Sequence, residues 1–193
     1  MNLELESMAI QMPVVDQHPN REAFRGVLTL VDVPSDKPPS GSRGHRVVLT
    51  RTAAEAALAS LLGMGLDYAP SLDRHDTRRK IGVITRAEIV GKTLELGGHL
   101  FARDFPEIVK EIGKSRRAGE APFDSAQGRS VPTQQRATTQ TKTQALGMSY
   151  EITDARVADI RSSIWTLTHV TFTGAAVLRR DKAAYHDTWI ELE

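Results

Sequence analysis

Residues 81–101, IGVITRAEIVGKTLELGGHLF, decide the fold. Two apolar, β-branched runs, Ile81 to Val90 and Thr93 to Phe101, are separated only by Gly91 and Lys92. A two-residue connection between strand-like runs predicts an antiparallel hairpin, with Gly-Lys a weaker turn pair than Asn-Gly. A β domain follows if the flanking sequence supplies further strands.

It does so on both sides. Phe24 to Val33 is apolar and stops at Pro34, Pro34 to Gly44 is turn chemistry throughout, and Arg46 to Thr50 reads as a second strand. Thr52 and Glu55 form a capping-box pattern ahead of Ala57, Leu58, Leu61 and Leu62, which predicts one amphipathic helix closed by Gly63. Beyond the hairpin, Asp104 with Glu107 suggests a second cap, Pro106 suits a first helical turn, and Ile108, Val109 and Ile112 form its apolar stripe. Ala145 to Ile152, Ile164 to Leu178 and Thr188 to Leu192 complete the strands, with Gly174 marking a bulge or break. The expected fold is α+β and mainly antiparallel β: a curved sheet or a closed six- to seven-stranded barrel with two or three flanking helices.

Between them, residues 113–144 are dominated by Ser, Thr, Gln, Gly, Arg and Lys. So polar a stretch repays little of its ordering entropy, and a mobile polar loop is expected there. Residues 1–20 are expected to be a flexible N-terminal segment without the character of a signal peptide, and 21–193 a single domain.

Whole-chain composition narrows the function classes. The 193 residues contain no cysteine, which removes disulfides and thiolate metal sites. Net charge is +1, from 25 Lys and Arg against 24 Asp and Glu, so no overall field draws the chain to nucleic acid or an anionic membrane. No apolar run approaches the roughly 18 residues of a membrane span. The six histidines show no spacing that sets two ligands on one strand or helix face, and no phosphate-binding glycine motif is present. No metal, no cofactor, no nucleic acid and no membrane are therefore expected.

Three residues stand out as chemistry. His75 sits in a charged loop, Asp73-Arg74-His75-Asp76, just before the hairpin, where an imidazole can exchange protons near neutral pH. Ser149 lies in Leu146-Gly147-Met148-Ser149-Tyr150, where the small Gly147 lets other groups approach closely. Glu151 occupies the place of the second glycine of a Gly-x-Ser-x-Gly elbow, so this is not that motif. His169 interrupts the last long strand, and Arg179-Arg180 closes it. Taken singly, a solvated loop histidine and an ordinary strand serine are the better explanations of the first two.

Their order carries more. A Gly-Val-Leu strand, a helix, His75-Asp76 ahead of Ile81-Gly82-Val83-Ile84, a late Gly147-Met148-Ser149-Tyr150-Glu151 strand and a final Thr168-His169-Val170-Thr171-Phe172 strand follow one another. This series, over roughly residues 23–192, resembles the prohead (capsid maturation) serine proteases of tailed phages, which are related to the herpesvirus assemblins. The resemblance implies a serine protease with Ser149 as nucleophile and His75 as general base. It also implies His169 as third member, standing where the phage enzymes carry an acid and the assemblins a histidine, and an oxyanion role for Arg179 and Arg180. The implied substrates are scaffold segments and the major capsid protein, cut inside an assembling prohead in the host cytoplasm, with possible self-cleavage and a homo-oligomeric enzyme. Two other readings stay open: a catalytically inactive protease-fold scaffolding protein of a phage or prophage particle, and a β-rich binding module with no viral link.

Overall fold

The computed structural model describes residues 18–115 and 145–193. Its elements in chain order are β1 (Glu22–Leu30), β2 (Arg46–Leu49), α1 (Arg51–Ala57), a 3-10 turn (Leu58–Leu61), β3 (Gly65–Tyr68), β4 (Lys80–Val90), β5 (Thr93–Leu100), α2 (Pro106–Lys114), β6 (Leu146–Val157), β7 (Ile164–Arg179) and β8 (Trp189–Leu192). The fold is α+β, with one sheet and two α-helices.

The hairpin at its centre is present, with Val90 paired to Thr93 across the turn. Gly91 has φ 57° while Lys92 keeps a negative φ, the pattern of a turn that needs glycine at its first central position only. From this hairpin the sheet extends antiparallel through β5 to β1 and β8, and through β4 to β3.

β7 joins the other half. Along one edge it pairs antiparallel with β6, and along the other it takes β2 at Ile164 to Leu167 and β3 at Ala175 to Val177, both parallel. The helical segment between β2 and β3 carries the chain from one station on this edge of β7 to the next. It is stitched to β7 by Ser60, whose hydroxyl accepts from the Phe172 N–H at 2.9 Å. The sheet is therefore mixed rather than wholly antiparallel. It also stays open: no ladder joins β6 to β8, so the closed barrel is not formed. Thr188 links the two edges, its Oγ1 accepting from the Met148 N–H at 3.2 Å.

Local expectations shift in detail. α1 is capped by Thr50, whose side chain accepts from the Ala53 N–H, and Glu55 pairs with Arg51 at 3.5 Å instead of closing a box with Thr52. Phe105, which has no polar side chain to cap with, precedes α2 in place of the expected Asp104, whose carboxylate accepts from Asn20 Nδ2 at 2.9 Å. α2 runs on to Lys114, past the expected start of the polar loop at 113, and residues 116–144 lie outside the described residues, as do 1–17. The expected break at Gly174 is a register shift, where Glu151 faces Gly174 but Ile152 faces Phe172.

One face of the sheet carries the core: Phe24, Leu28, Leu66, Ile84, Leu94, Leu96, Phe172 and Val177, closed over by Leu49, Leu61 and Ile112. Side chains of this size each add about 2 kcal/mol on burial, the main term that holds the curved sheet against its helices. The opposite face of β7 has only a small cluster, Ala176, Leu178 and Ala183. That thinly covered face is where the polar residues gather.

Candidate active site

Strand alternation puts Met148, Ala175, Val177 and Leu66 into the core, and so turns Ser149, Ala176 and Asp67 to the other face. The register aligns them: Ser149 pairs with Ala176, and Ala176 with Asp67, which itself pairs with Lys80. Glu151, two residues from Ser149, shares that face opposite Gly174. A Cβ on Gly174 would stand 3.4 Å from Glu151 Oε2 and 3.8 Å from Lys80 Nζ, so the absent side chain leaves room for these charged ends to converge.

Asp67 is fully buried. A buried carboxylate has to be paired and hydrogen-bonded, and both conditions are met: Lys80 Nζ donates to Oδ2 at 3.2 Å and the Asp76 N–H donates to Oδ1 at 3.1 Å. The second bond fixes the loop that carries His75. The same loop is tied to the end of β7, where the Arg179 N–H donates to the Leu72 carbonyl at 2.7 Å and Arg179 Nη1 to the Ser71 carbonyl at 3.4 Å.

Held in this way, His75 sits with Nδ1 3.3 Å from Glu151 Oε1 and 3.8 Å from Asp67 Oδ1. Nδ1 is buried and makes no hydrogen bond among the described residues. The acids beside it on the loop are held ionised: the Ser71 hydroxyl keeps the Asp73 carboxyl below the ordinary range, and the Arg78 backbone N–H does the same for Asp76.

His75, Ser149 and Glu151 line one cleft of about 730 Å³, whose other walls include Pro38 and Pro39 of the 34–44 loop and the apolar Ile152, Trp165 and Leu167. His45 stacks on Trp165, ring centroids 4.5 Å apart, and braces that wall. Among the described residues no hydrogen bond engages the Ser149 hydroxyl. The structure thus places His75 and Ser149, 74 residues apart in sequence, on the lining of one cleft.

It does not bring His169 to them. His169 is exposed and pairs with Arg156, seven residues before Ala176 on β7, a separation of roughly 23 Å at 3.3 Å per residue. The groups beside His75 are instead the carboxylates of Glu151 and Asp67, because the register of β6 on β7 sets Glu151 opposite Gly174 and Ser149 opposite Ala176. Arg179 and Arg180 also miss the cleft: Arg179 holds the loop and lies 3.4 Å from Asp181, and Arg180 Nε donates to the Thr188 carbonyl at 3.1 Å.

Asp67, Lys80 and Glu151 were not read as site residues from sequence. Glu151 carries a usable signal, since two-residue spacing from Ser149 in a strand guarantees a shared face. Asp67 carries a fainter one, a single acid within Gly65-Leu66-Asp67-Tyr68-Ala69. One ligand atom from each of Asp67, His75 and Glu151 lies within 4.8 Å of the others, a grouping drawn from three separate elements that spacing along one element cannot reveal. No family model, curated protein or solved structure matches the chain.

Proposed function

We propose that the chain is a serine endopeptidase of the prohead-protease type, with Ser149 as nucleophile and His75 as general base. The observation that carries this is the meeting of His75 and Ser149 in one cleft, with two carboxylates beside His75 Nδ1. In the reaction, His75 Nε2 takes the Ser149 proton as Oγ attacks the peptide carbonyl, then returns it to the leaving amine. Glu151 and Asp67 stabilise the imidazolium formed in between, the part a triad acid plays.

The oxyanion needs a donor close to Ser149. The Met148 N–H points away from β7, toward Thr188, so strand alternation turns the Tyr150 N–H to the same unladdered side of β6. The Tyr150 N–H, next in sequence to the nucleophile, is the donor we assign in place of Arg179 and Arg180. The apolar wall of Ile152, Trp165 and Leu167 suits an extended peptide, and the resemblance names its source: scaffold and major capsid protein segments inside an assembling prohead, cut by a homo-oligomeric enzyme. Among the described residues no helix is long and apolar enough to cross a membrane.

The test is covalent. A fluorophosphonate should form one adduct, on Ser149, and none in His75→Ala; co-expression with the neighbouring major capsid protein should give truncated products that vanish in Ser149→Ala. Adduct formation elsewhere, or equal processing by Ser149→Ala, overturns the assignment.

A further inference from the structure

The geometry points to a second use of the same residues: Asp67, His75 and Glu151 form a binding site for a divalent transition-metal ion of the zinc type, and the bound ion switches His75 off as a base. The consequence for catalysis rests on the protease reading, whereas the binding does not.

The first observation is spacing. Zinc takes histidine nitrogen and carboxylate oxygen at about 2.0–2.1 Å in a tetrahedron, so neighbouring ligand atoms lie about 3.3 Å apart. His75 Nδ1 to Glu151 Oε1 is 3.3 Å and His75 Nδ1 to Asp67 Oδ1 is 3.8 Å, with all three ligand atoms within 4.8 Å of one another. Small side-chain adjustments bring all three to one ion, and the cleft leaves the fourth position to water.

The second observation is independent of spacing. His75 Nδ1 is buried, yet it makes no hydrogen bond among the described residues, although two carboxylates stand beside it. Buried nitrogen is ordinarily hydrogen-bonded, so an orphan between two acids marks a position where a partner fits. A cation placed there satisfies the nitrogen and both oxygens at once.

Charge and support agree. Two carboxylates and a neutral imidazole balance a divalent ion, and the donor set of nitrogen and oxygen without sulfur suits zinc. Asp67 is already oriented by Lys80 and the Asp76 N–H, the outer bonds that fix a ligand's direction. Lys80 is the built-in competitor, since its ammonium holds the other oxygen of Asp67.

The switch follows from the imidazole. A metal on Nδ1 uses that lone pair and leaves the ring proton on Nε2. Nε2 then has no lone pair to receive the Ser149 proton, and attack stops.

The experiment uses full-length Ser149→Ala, which retains every ligand and cannot cleave itself. Calorimetric titration with Zn²⁺ should show one saturable site per chain, lost in Ser149→Ala/His75→Ala and weakened at least roughly tenfold in Ser149→Ala/Glu151→Gln. Glu151 is partly exposed, so its variant stays folded even if one at Asp67 does not. Absence of 1:1 binding, or unchanged affinity in the Glu151→Gln background, overturns the site. In wild type, fluorophosphonate labelling of Ser149 should fall with Zn²⁺ occupancy and return with chelator. Labelling at full Zn²⁺ occupancy overturns the switch, while saturable binding in a protein that never labels leaves the metal site supported and removes the protease reading.

Discussion

Ser149 and Asp67 stand in one row across the sheet, each the direct neighbour of Ala176 on opposite edges of β7. Ser149, the proposed nucleophile, and a buried acid are thus fixed to the same strand, while His75 comes from a loop that Asp67 itself anchors through the Asp76 N–H. Asp67 has a structural role as well as an electrostatic one, and Glu151, nearer to Nδ1 and partly exposed, has mainly the second.

The two acids should therefore separate in mutants. Asp67→Asn loses a charged hydrogen bond to Lys80 in a buried place, about 2 kcal/mol, which lowers Tm by roughly 4–8 °C for a domain of this size. Glu151→Gln should leave Tm within a degree or two and reduce the rate of Ser149 labelling about 100-fold, because only the stabilisation of the imidazolium is lost. Thermal melts and labelling rates on both variants check this; a melting loss in Glu151→Gln equal to that in Asp67→Asn contradicts it.

His169→Ala provides the counterpart. The residue is exposed on β7, does not line the cleft and lies seven residues from Ala176, the partner of Ser149, so stability should change by less than ~0.5 kcal/mol and labelling of Ser149 should be unaffected. A drop of tenfold or more in labelling would restore His169 as the third member.

What the sequence disclosed follows from range. The 81–101 hairpin was legible because its turn and both its strands are contiguous, and the strands holding Ser149 and His169 were legible from their apolar runs. β3 was not, since Gly65–Tyr68 is too short to show a period and is a strand only because β4 and β7 flank it. The same blind spot hid the acids: Asp67 joins the row of Ser149 through the parallel pairing of β3 with β7, a contact between segments more than 100 residues apart. His169 drew notice for interrupting a strand, which says nothing about which residue of β6 it faces. Closure of the barrel turned on whether β6 and β8 form a ladder, and a side-chain bond from Thr188, just before β8, to the Met148 N–H leaves no pattern in either strand.

The sheet is most closely packed at Gly98, which pairs with Ile84 on one side and Phe24 on the other. A Cβ there would lie 2.1 Å from the Val83 carbonyl oxygen and 2.9 Å from the Phe24 ring. Backbone on one side and a fully buried ring on the other cannot both give way. Gly98→Ala should cost about 3 kcal/mol, seen as a fall in the urea midpoint, while Gly174→Ala, whose Cβ meets nothing closer than 3.4 Å, should cost less than ~1 kcal/mol. Equal losses at the two glycines would rule out close packing as the reason.

The high-pH limit of the fold should be set in part by Tyr185. Its one hydroxyl proton is shared between the Val33 and Val47 carbonyls, at 3.3 and 3.2 Å, and pins the 34–44 wall of the cleft to the segment before β8. Burial pushes its pKa up to about 12, and burial raises that of Tyr150 as well. A raised folded-state pKa means that the neutral form is favoured in the fold, so this stability is fully present below the unfolded value of about 10. It falls as pH rises from 10 toward 12, by roughly 1.4 kcal/mol per unit for one proton, because the unfolded chain releases a proton that the folded chain keeps. Tyr185→Phe should lose about 1 kcal/mol at pH 8 through the missing hydroxyl and then lose less than wild type between pH 10 and 12. Denaturant midpoints measured across that range check both signs, and parallel curves for the two proteins would show that Tyr185 ionises outside the fold's control.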